Sequence, residues 1–459
     1  EFVGGILAAM MFQVTHPKEL GRAGMWISAF AAEFLGTFVL VFTVVCNVLA
    51  GDANWSPTSI ACSLMVMIYA TGGVSGGHLN PAVTFAVTLV NNDWSGRFLG
   101  YWFSQIAGGI AAGFAGCSLH SSVANIEPKE PYQTSHALMA ELIYTFMLAF
   151  TVLSVAASKR NNSPKDGNNF YALAIAWTII AGGYAVGGVS GAAFNPAVAI
   201  GLDISSYSVG VGFGFLWALF ELLGGGLAAA LFRMLRPEQS LEGEALESYQ
   251  PSIFVKLLAE FVGVFMLVLT VGLNLVNDSP ATAWSAAAAL MCMIYCLGDI
   301  SGAHLNPAVT AAVVASGRKL CSGLEGVAYA ATQYLAGAAA GLVYSTYHAA
   351  GPKAEALIGL APGKGYTLLQ AGLSELAATM LLAYIVLSCA TVAPAGGNTK
   401  TKNSFYFALA IGSCVTVGGF SLGAVSGGEL NPAVALGIST ASSMHHPTNM
   451  EGGDFFSNF

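Results

Sequence analysis

Charge is scarce in this chain. Lys, Arg, Asp and Glu make up 9% of its 459 residues, against 55% apolar ones. So little charge excludes a soluble protein of this size, whose surface needs roughly a quarter to a third of charged side chains. Cysteine offers no framework either: the eight stand singly, mostly in apolar stretches, as at Cys46, Cys62, Cys292 and Cys389. They read as small buried residues, not as a disulfide frame or a metal site. No metal-ligand cluster, nucleophile triad or phosphate loop occurs, because the Gly-rich stretches lie inside apolar runs. No cofactor, no metal and no catalytic residue is therefore expected, and an enzyme is the least supported class. A net charge of −8 says little about a partner, and no nucleic-acid partner is expected.

What is present is apolar length. Met25 to Ala50, Ala137 to Ala157 and Phe254 to Val276 each exceed the ~20 helical residues that cross a bilayer. The 55 glycines are spread inside such segments, as suits close helix packing in lipid. The chain is thus expected to be an integral, multi-pass membrane protein. On the topology this implies, Lys18, Arg22, Arg97, Lys159, Arg160, Lys165, Arg233, Arg236, Lys256, Arg318, Lys319, Lys400 and Lys402 share one side, and Lys129, Lys353 and Lys364 hold the other. The excess of cations assigns the first side, with the linker and the second and fourth loops of each unit, to the cytoplasm.

The tetrapeptide Asn-Pro-Ala-Val occurs four times: Asn80-Pro81-Ala82-Val83, Asn195-Pro196-Ala197-Val198, Asn306-Pro307-Ala308-Val309 and Asn431-Pro432-Ala433-Val434. The first returns after 226 residues and the second after 236, while Ala32-Glu33-Phe34-Leu35-Gly36 returns as Ala259-Glu260-Phe261-Val262-Gly263 after 227. Two homologous units share the chain. Unit one covers 21–236, a polar linker 237–251, and unit two 252–459. Long helices are expected near 25–50, 57–75, 97–118, 135–157, 169–187 and 209–235, then near 253–276, 281–299, 322–347, 366–391 and 404–422. Glu1 to Ala9 resembles Glu221 to Ala229, so 1–12 reads as the end of a sixth helix from another unit, and the second unit lacks most of its own. A segment of a longer polypeptide is the preferred reading of these ends; a permuted chain is the alternative.

Each Asn-Pro-Ala opens an apolar run: Pro81 to Val90, Pro196 to Ile204, Pro307 to Ser316 and Pro432 to Thr440. Roughly ten residues rise about 15 Å, half a bilayer core. Asn caps a helix well, and Pro at the first position has no amide to leave unpaired. Each motif therefore starts a half-helix whose N-terminus is partly positive. Two such ends meeting at mid-membrane disfavour cations. Their Asn amides orient water by donating to its oxygen, which hinders a proton relay.

Four copies in duplicated context resemble the aquaporin, or major intrinsic protein, family over nearly the whole chain. The resemblance implies an all-α membrane protein of two fused aquaporin-type units. Each has six transmembrane helices plus two half-helices meeting at the Asn-Pro-Ala motifs, the last helix of the second being incomplete. Glu33, Glu141, Glu260 and Glu375 match family glutamates that accept hydrogen bonds from the half-helix loops, a scaffold role that suits carboxylates in apolar helices. His78 and His304 are expected to brace the same loops. The family's outer selectivity ring falls, by spacing, on Ile60, Gly183, Ala192 and Val198 in unit one and on Ala286, Gly419, Gly428 and Val434 in unit two. The usual Arg of that ring is Val in both, and the His of strict water channels is Gly in both. Plant tonoplast aquaporins share the Val but keep a His elsewhere. Glycerol facilitators keep the Arg and follow the motif with an Asp, where Ala199 and Ala435 stand here.

A wide, apolar ring without Arg implies passage of water and small neutral solutes such as glycerol, urea or ammonia. Asp299 and Glu429 break the symmetry of the units as candidate pore-mouth acids that attract cations; the alternative is that they turn away to satisfy backbone amides. The resemblance also implies a tetrameric arrangement of units, by self-association or within one chain. The competing functions are a structural or junctional membrane protein with little flux and a secondary transporter, which also uses inverted repeats and broken helices.

Overall fold

The computed structural model describes all residues except Arg22, Gly24, Met25, Ala53, Pro164, Lys165, Leu357, 393–405 and 446–459. The cations Arg22, Lys165, Lys400 and Lys402 of the orientation argument, and the end of the second repeat, lie outside the described residues. Among the described residues the chain is helical apart from a two-residue antiparallel pairing of Asn162–Ser163 with Asp166–Gly167.

The long helices are α2 (Trp26–Ala50), α3 (Ser56–Ser75), α5 (Gly96–His120), α6 (Thr134–Val152), α7 (Tyr171–Ser190), α9 (Phe213–Leu235), α11 (Ile253–Val276), α12 (Thr282–Leu297), α14 (Gly323–Ala350), α15 (Leu368–Ile385) and α16 (Tyr406–Ser426). The half-helices are α4 (Pro81–Asn91), α8 (Pro196–Ser205), α13 (Pro307–Ala315) and α17 (Pro432–His445). A leading helix, α1, spans Phe2–Thr15, and the polar linker holds the 3-10 turn Pro237–Ser240 and α10 (Gly243–Ser248). Among the described residues, eight helices are long and apolar enough to cross a membrane, which makes the chain an integral multi-pass membrane protein. α6 and α15 each run on into a π-helical turn, Leu153–Ala157 and Val386–Ala390.

By packing, the chain forms two compact units. The first comprises Glu1–Pro128, Thr134–Leu153 and Ser190–Leu231; the second comprises Lys129–Gln133, Ser154–Val189 and the chain from Phe232 onward. Nearly all of α7 therefore packs with the second. In the first unit α2 lies against α3 and α5, and α5 against the half-helices α4 and α8. In the second α11 lies against α12, α14 and α17, and α14 against α13 and α17.

Alongside an apolar core, polar side chains of the helices are kept inside, away from the apolar faces left exposed, as lipid demands. On α14, Gln333, Tyr329 and Tyr344 are buried while Leu324, Val327 and Leu335 are exposed. Close approach needs glycine at the contact points. A Cβ on Gly109 of α5 would collide with the Ala197 carbonyl of α8, and one on Gly337 of α14 with the Ala433 carbonyl of α17.

Candidate functional site

Each Asn-Pro-Ala does what its residue types allow. Asn80, Asn195, Asn306 and Asn431 each stand before a helix whose first residue is Pro, the first three with extended backbone, and their Oδ1 atoms accept the N–H of Ala82, Ala197, Ala308 and Ala433 at 2.8–3.0 Å. Their side-chain nitrogens reach across to the opposing half-helix loop. Asn80 Nδ2 donates to the Phe194 carbonyl at 2.8 Å and Asn195 Nδ2 to the Leu79 carbonyl at 2.9 Å. In the second unit Asn306 Nδ2 donates to Leu430 at 2.8 Å and Asn431 Nδ2 to Leu305 at 2.9 Å. A primary amide has two N–H bonds. One is taken by the facing carbonyl and one is left for whatever passes.

The accepting carbonyls belong to a conformation that the residue types do not suggest. Leu79, Phe194, Leu305 and Leu430, each just before an Asn, all have φ between +50 and +53°. Bulky residues rarely enter this region, and each does so at a cost of about 1–2 kcal/mol. The position three before each Asn is also left-handed: Gly77, Ala192, Ala303 and Gly428, with φ of +60, +56, +46 and +70°.

The buried glutamates hold these strained loops. Glu33 accepts from Ser75 Oγ at 2.5 Å, His78 N at 3.0 Å, Leu79 N at 2.7 Å and Gln105 Nε2 at 2.7 Å. Glu260 does the same with Ser301, His304, Leu305 and Gln333. Glu141 takes Ser190 Oγ, Ala193 N and Phe194 N; Glu375 takes Ser426 Oγ and the N–H groups of Gly428, Glu429 and Leu430. His78 Nδ1 pairs with Thr84 Oγ1 at 3.1 Å and His304 Nδ1 with Thr310 Oγ1 at 3.2 Å, tying each loop to its own half-helix.

In the second unit a cavity of about 280 Å³ runs past both Asn306 and Asn431. Ala286, Gly419, Gly428 and Val434, the four ring positions found by spacing, all line it. His304 and Glu429 line it too. The glycines do more than leave room. A Cβ on Gly419 would collide with Ala283 of α12, and one on Gly428 would lie 3.0 Å from the Gly419 Cα. In the first unit Val198 sits in an apolar cluster with Ala193 and Trp217, against which Ile60 packs. Ala192 holds one of the left-handed positions. Gly183 lies on α7, in the second packing unit.

The two symmetry-breaking acids have different surroundings. Asp299 is clasped by Arg236, with both Nη–Oδ contacts at 2.8 Å and only 3% of the Asp299 side chain exposed. Arg236 also donates to the Cys296 carbonyl at 2.8 Å. With its charge matched in this way, Asp299 has no free carboxylate to offer a cation. Glu429 faces the cavity, and its carboxyl lies against that of Glu375. Sequence reasoning missed three buried side chains that complete the loop supports: Gln105, Gln333 and Glu221. Their signal was a polar residue four places after an aromatic one, in Tyr101/Gln105, Tyr329/Gln333 and Trp217/Glu221.

The family described as Major intrinsic protein matches residues 20–168, 161–281 and 256–448. The "Probable aquaporin TIP-type" of Medicago truncatula is 33% identical over 238 residues, which are 49% of this chain and 90% of that protein. The "Aquaporin TIP1-1" of Zea mays is 29% identical, with 49% and 90% covered. The "Probable aquaporin PIP2-8" of Oryza sativa subsp. japonica is 29% identical, with 51% and 89% covered. Among solved structures, the aquaglyceroporin from Plasmodium falciparum matches with a TM-score of 0.41 and 20% identity, over 49% of this chain and 100% of that one. The chain belongs to the major intrinsic protein family, as a tandem aquaporin carrying the family's pattern more than once along one polypeptide.

Proposed function

We propose that this chain is a passive membrane channel for water and small neutral solutes, glycerol, urea and ammonia among them, with one pore formed around each pair of Asn-Pro-Ala loops. The observation that carries this reading is the pairing of Asn306 with Asn431 in one 280 Å³ cavity whose ring positions are all Ala, Gly or Val. Each Asn keeps one side-chain N–H for a passing oxygen, and the half-helix N-termini add a partial positive charge that opposes cations. A water held by two donors presents its lone pairs inward and cannot pass a proton on through the centre.

The ring without Arg removes a bulky hydrogen-bond donor and a fixed cation from the narrow part of the path. Solutes larger than water are then limited by apolar contact alone, and proton exclusion rests on the half-helix ends. The cation-rich face, including Lys159, Arg160 and Arg236, is the cytoplasmic one on this reading. Units group in fours around a central axis, as in the resemblance drawn from the sequence.

Stopped-flow light scattering on proteoliposomes tests the function. Fast shrinkage in sucrose, then fast reswelling in glycerol, is the expected result. Glycerol exclusion alongside fast water flow removes the broad-solute part, and control-level shrinkage in both osmolytes removes the channel.

A further inference from the structure

Three helices present the same pair of supports to a half-helix loop. On α5, the Tyr101 hydroxyl donates to the Ser75 carbonyl at 2.6 Å, and four residues on the Gln105 amide donates to Glu33 at 2.7 Å. On α14, Tyr329 and Gln333 repeat this on Ser301 and Glu260 at 2.9 and 2.8 Å. On α9, Trp217 Nε1 donates to the Ser190 carbonyl at 3.1 Å, and four residues on stands Glu221, against Glu141. The next turn keeps the register. Gly109 and Gly337 abut half-helix carbonyls, and a Cβ on Gly225 would lie 2.7 Å from the Ala82 carbonyl. Position 221 is thus the amide position of the brace, filled by an acid.

That exchange changes the count of donors. Gln105 has an N–H to give its glutamate; an ionised Glu221 has none. Glu221 Oε1 already accepts the backbone N–H of Asn195 at 2.9 Å. Its Oε2 meets no donor among the described residues, although the side chain is completely buried. Glu141, equally buried, takes its donors from Ser190, Ala193 and Phe194, so adjacent amides of one loop are bound by two touching carboxyl groups. Glu141 on α6 is the titratable group that faces Glu221; α4 approaches through the Ala82 backbone, and no described ion pair includes either acid. Two carboxylates in contact at low dielectric cannot both be charged.

We propose that Glu141 and Glu221 hold one proton between them, and that Glu221 is a positioning residue whose shared proton fixes the Asn195 loop. The first pore then carries a protonation-sensitive brace that the Gln105 and Gln333 supports lack. Removing the proton at alkaline pH sets two charges side by side and pushes α9 from α6. The Asn195 N–H, held by Glu221, moves with it, and the Asn195 side chain leaves the Leu79 carbonyl.

The proton is tested first, by infrared difference spectroscopy on the full chain in lipid. The expected result is a carboxylic-acid carbonyl band at neutral pH that is lost in Glu221→Gln and in Glu141→Gln. A native-minus-variant difference with no acid band for either variant overturns the proposal, since the Glu375–Glu429 contact contributes alike to native and variant. The flux arm rests on the channel reading above. Water permeability is expected to fall on the alkaline side in the native chain and to stay level in Glu221→Gln, which restores the Gln105 arrangement. Glu221→Ala is expected to lose the first pore's share of the flux at every pH. Identical pH profiles for the native chain and Glu221→Gln overturn the positioning role. A chain with no flux at any pH overturns the channel reading, while the infrared band still decides the proton.

Discussion

Asn195 gives its side-chain amide to the Leu79 carbonyl, and Asn80 returns the contact to the carbonyl of Phe194, the residue just before Asn195. The exchange closes a ring through both half-helix loops of the first unit, and Asn306 and Asn431 close the same ring in the second. Neither Asn is therefore only a helix cap. Replacing Asn80 and Asn306 together by Ala removes one member of each ring. We expect water permeability to drop in the double variant, with a loss of about 1–3 kcal/mol per site from cap and hydrogen bond. Undiminished flux in a folded Asn80→Ala, Asn306→Ala chain would show that these amides do not handle the permeant.

On the channel reading proposed above, the ring positions Ala286, Gly419, Gly428 and Val434 predict how selectivity can be narrowed. Val434→Arg, with Val198→Arg in the first unit, puts a long cationic donor into the path. Glycerol permeability is expected to fall more steeply than water permeability, and both are read in one swelling assay. A parallel fall of the two would mean that the substitution blocks the pore outright.

The left-handed positions predict a gain in stability. Gly77 and Gly428 adopt positive φ without penalty, but Ala192 and Ala303 at the equivalent places do not. Ala192→Gly and Ala303→Gly each relieve about 1–2 kcal/mol of strain and lose roughly 0.5–1 kcal/mol to the looser unfolded chain. A net rise of about 0.5–1 kcal/mol in thermal unfolding is expected. Leu79→Gly relieves the same strain but empties a fully buried site, and a cavity of that size costs about 2–5 kcal/mol, so it should destabilise. A loss of stability in both Ala192→Gly and Ala303→Gly would contradict the strain account, and a stabilised Leu79→Gly would mean that strain outweighs the packing of that side chain.

Arg236 and Asp299 predict an asymmetric response. Both side chains are at most 3% exposed. Arg236→Ala leaves two buried carboxylates, Asp299 at 2.8 Å and Glu238 at 3.5 Å, without their shared partner and should cost about 3–5 kcal/mol. Adding Asp299→Asn removes the nearer stranded charge and should recover part of the loss, as measured by thermal unfolding in detergent. A double variant no better than Arg236→Ala would show that packing of the Arg stem, and not charge, is what the pair supplies.

Much of this was readable in the sequence because lipid enforces simple patterns. Hydropathy marked every long helix to within a few residues, and Asn-Pro fixed the start of each half-helix, where a cap and a missing amide coincide. The last half-helix, α17, runs five residues past its expected end at Thr440, since no Gly or Pro stands between Thr440 and His445. The positive φ of Leu79, Phe194, Leu305 and Leu430 was not readable. Leu and Phe have no preference for that region, and the strain is imposed by contacts more than 40 residues away along the chain, from Glu33, Glu141, Glu260 and Glu375. Glu221 was visible as an acid in an apolar run, but its partner depended on the register of α9 against α6. The clasp of Asp299 by Arg236 likewise needed a fold to bring residues 63 apart into contact.

The exchange between Asn80 and Phe194 spans 114 residues, and that between Asn306 and Leu430 spans 124. A ribosome delivers the first partner long before the second. Through that interval Glu33 already holds the earlier loop's strained backbone, but the Asn80 amide has no facing carbonyl. The two loops must then be completed as a pair, so a chain interrupted between them lacks the exchange that joins its halves.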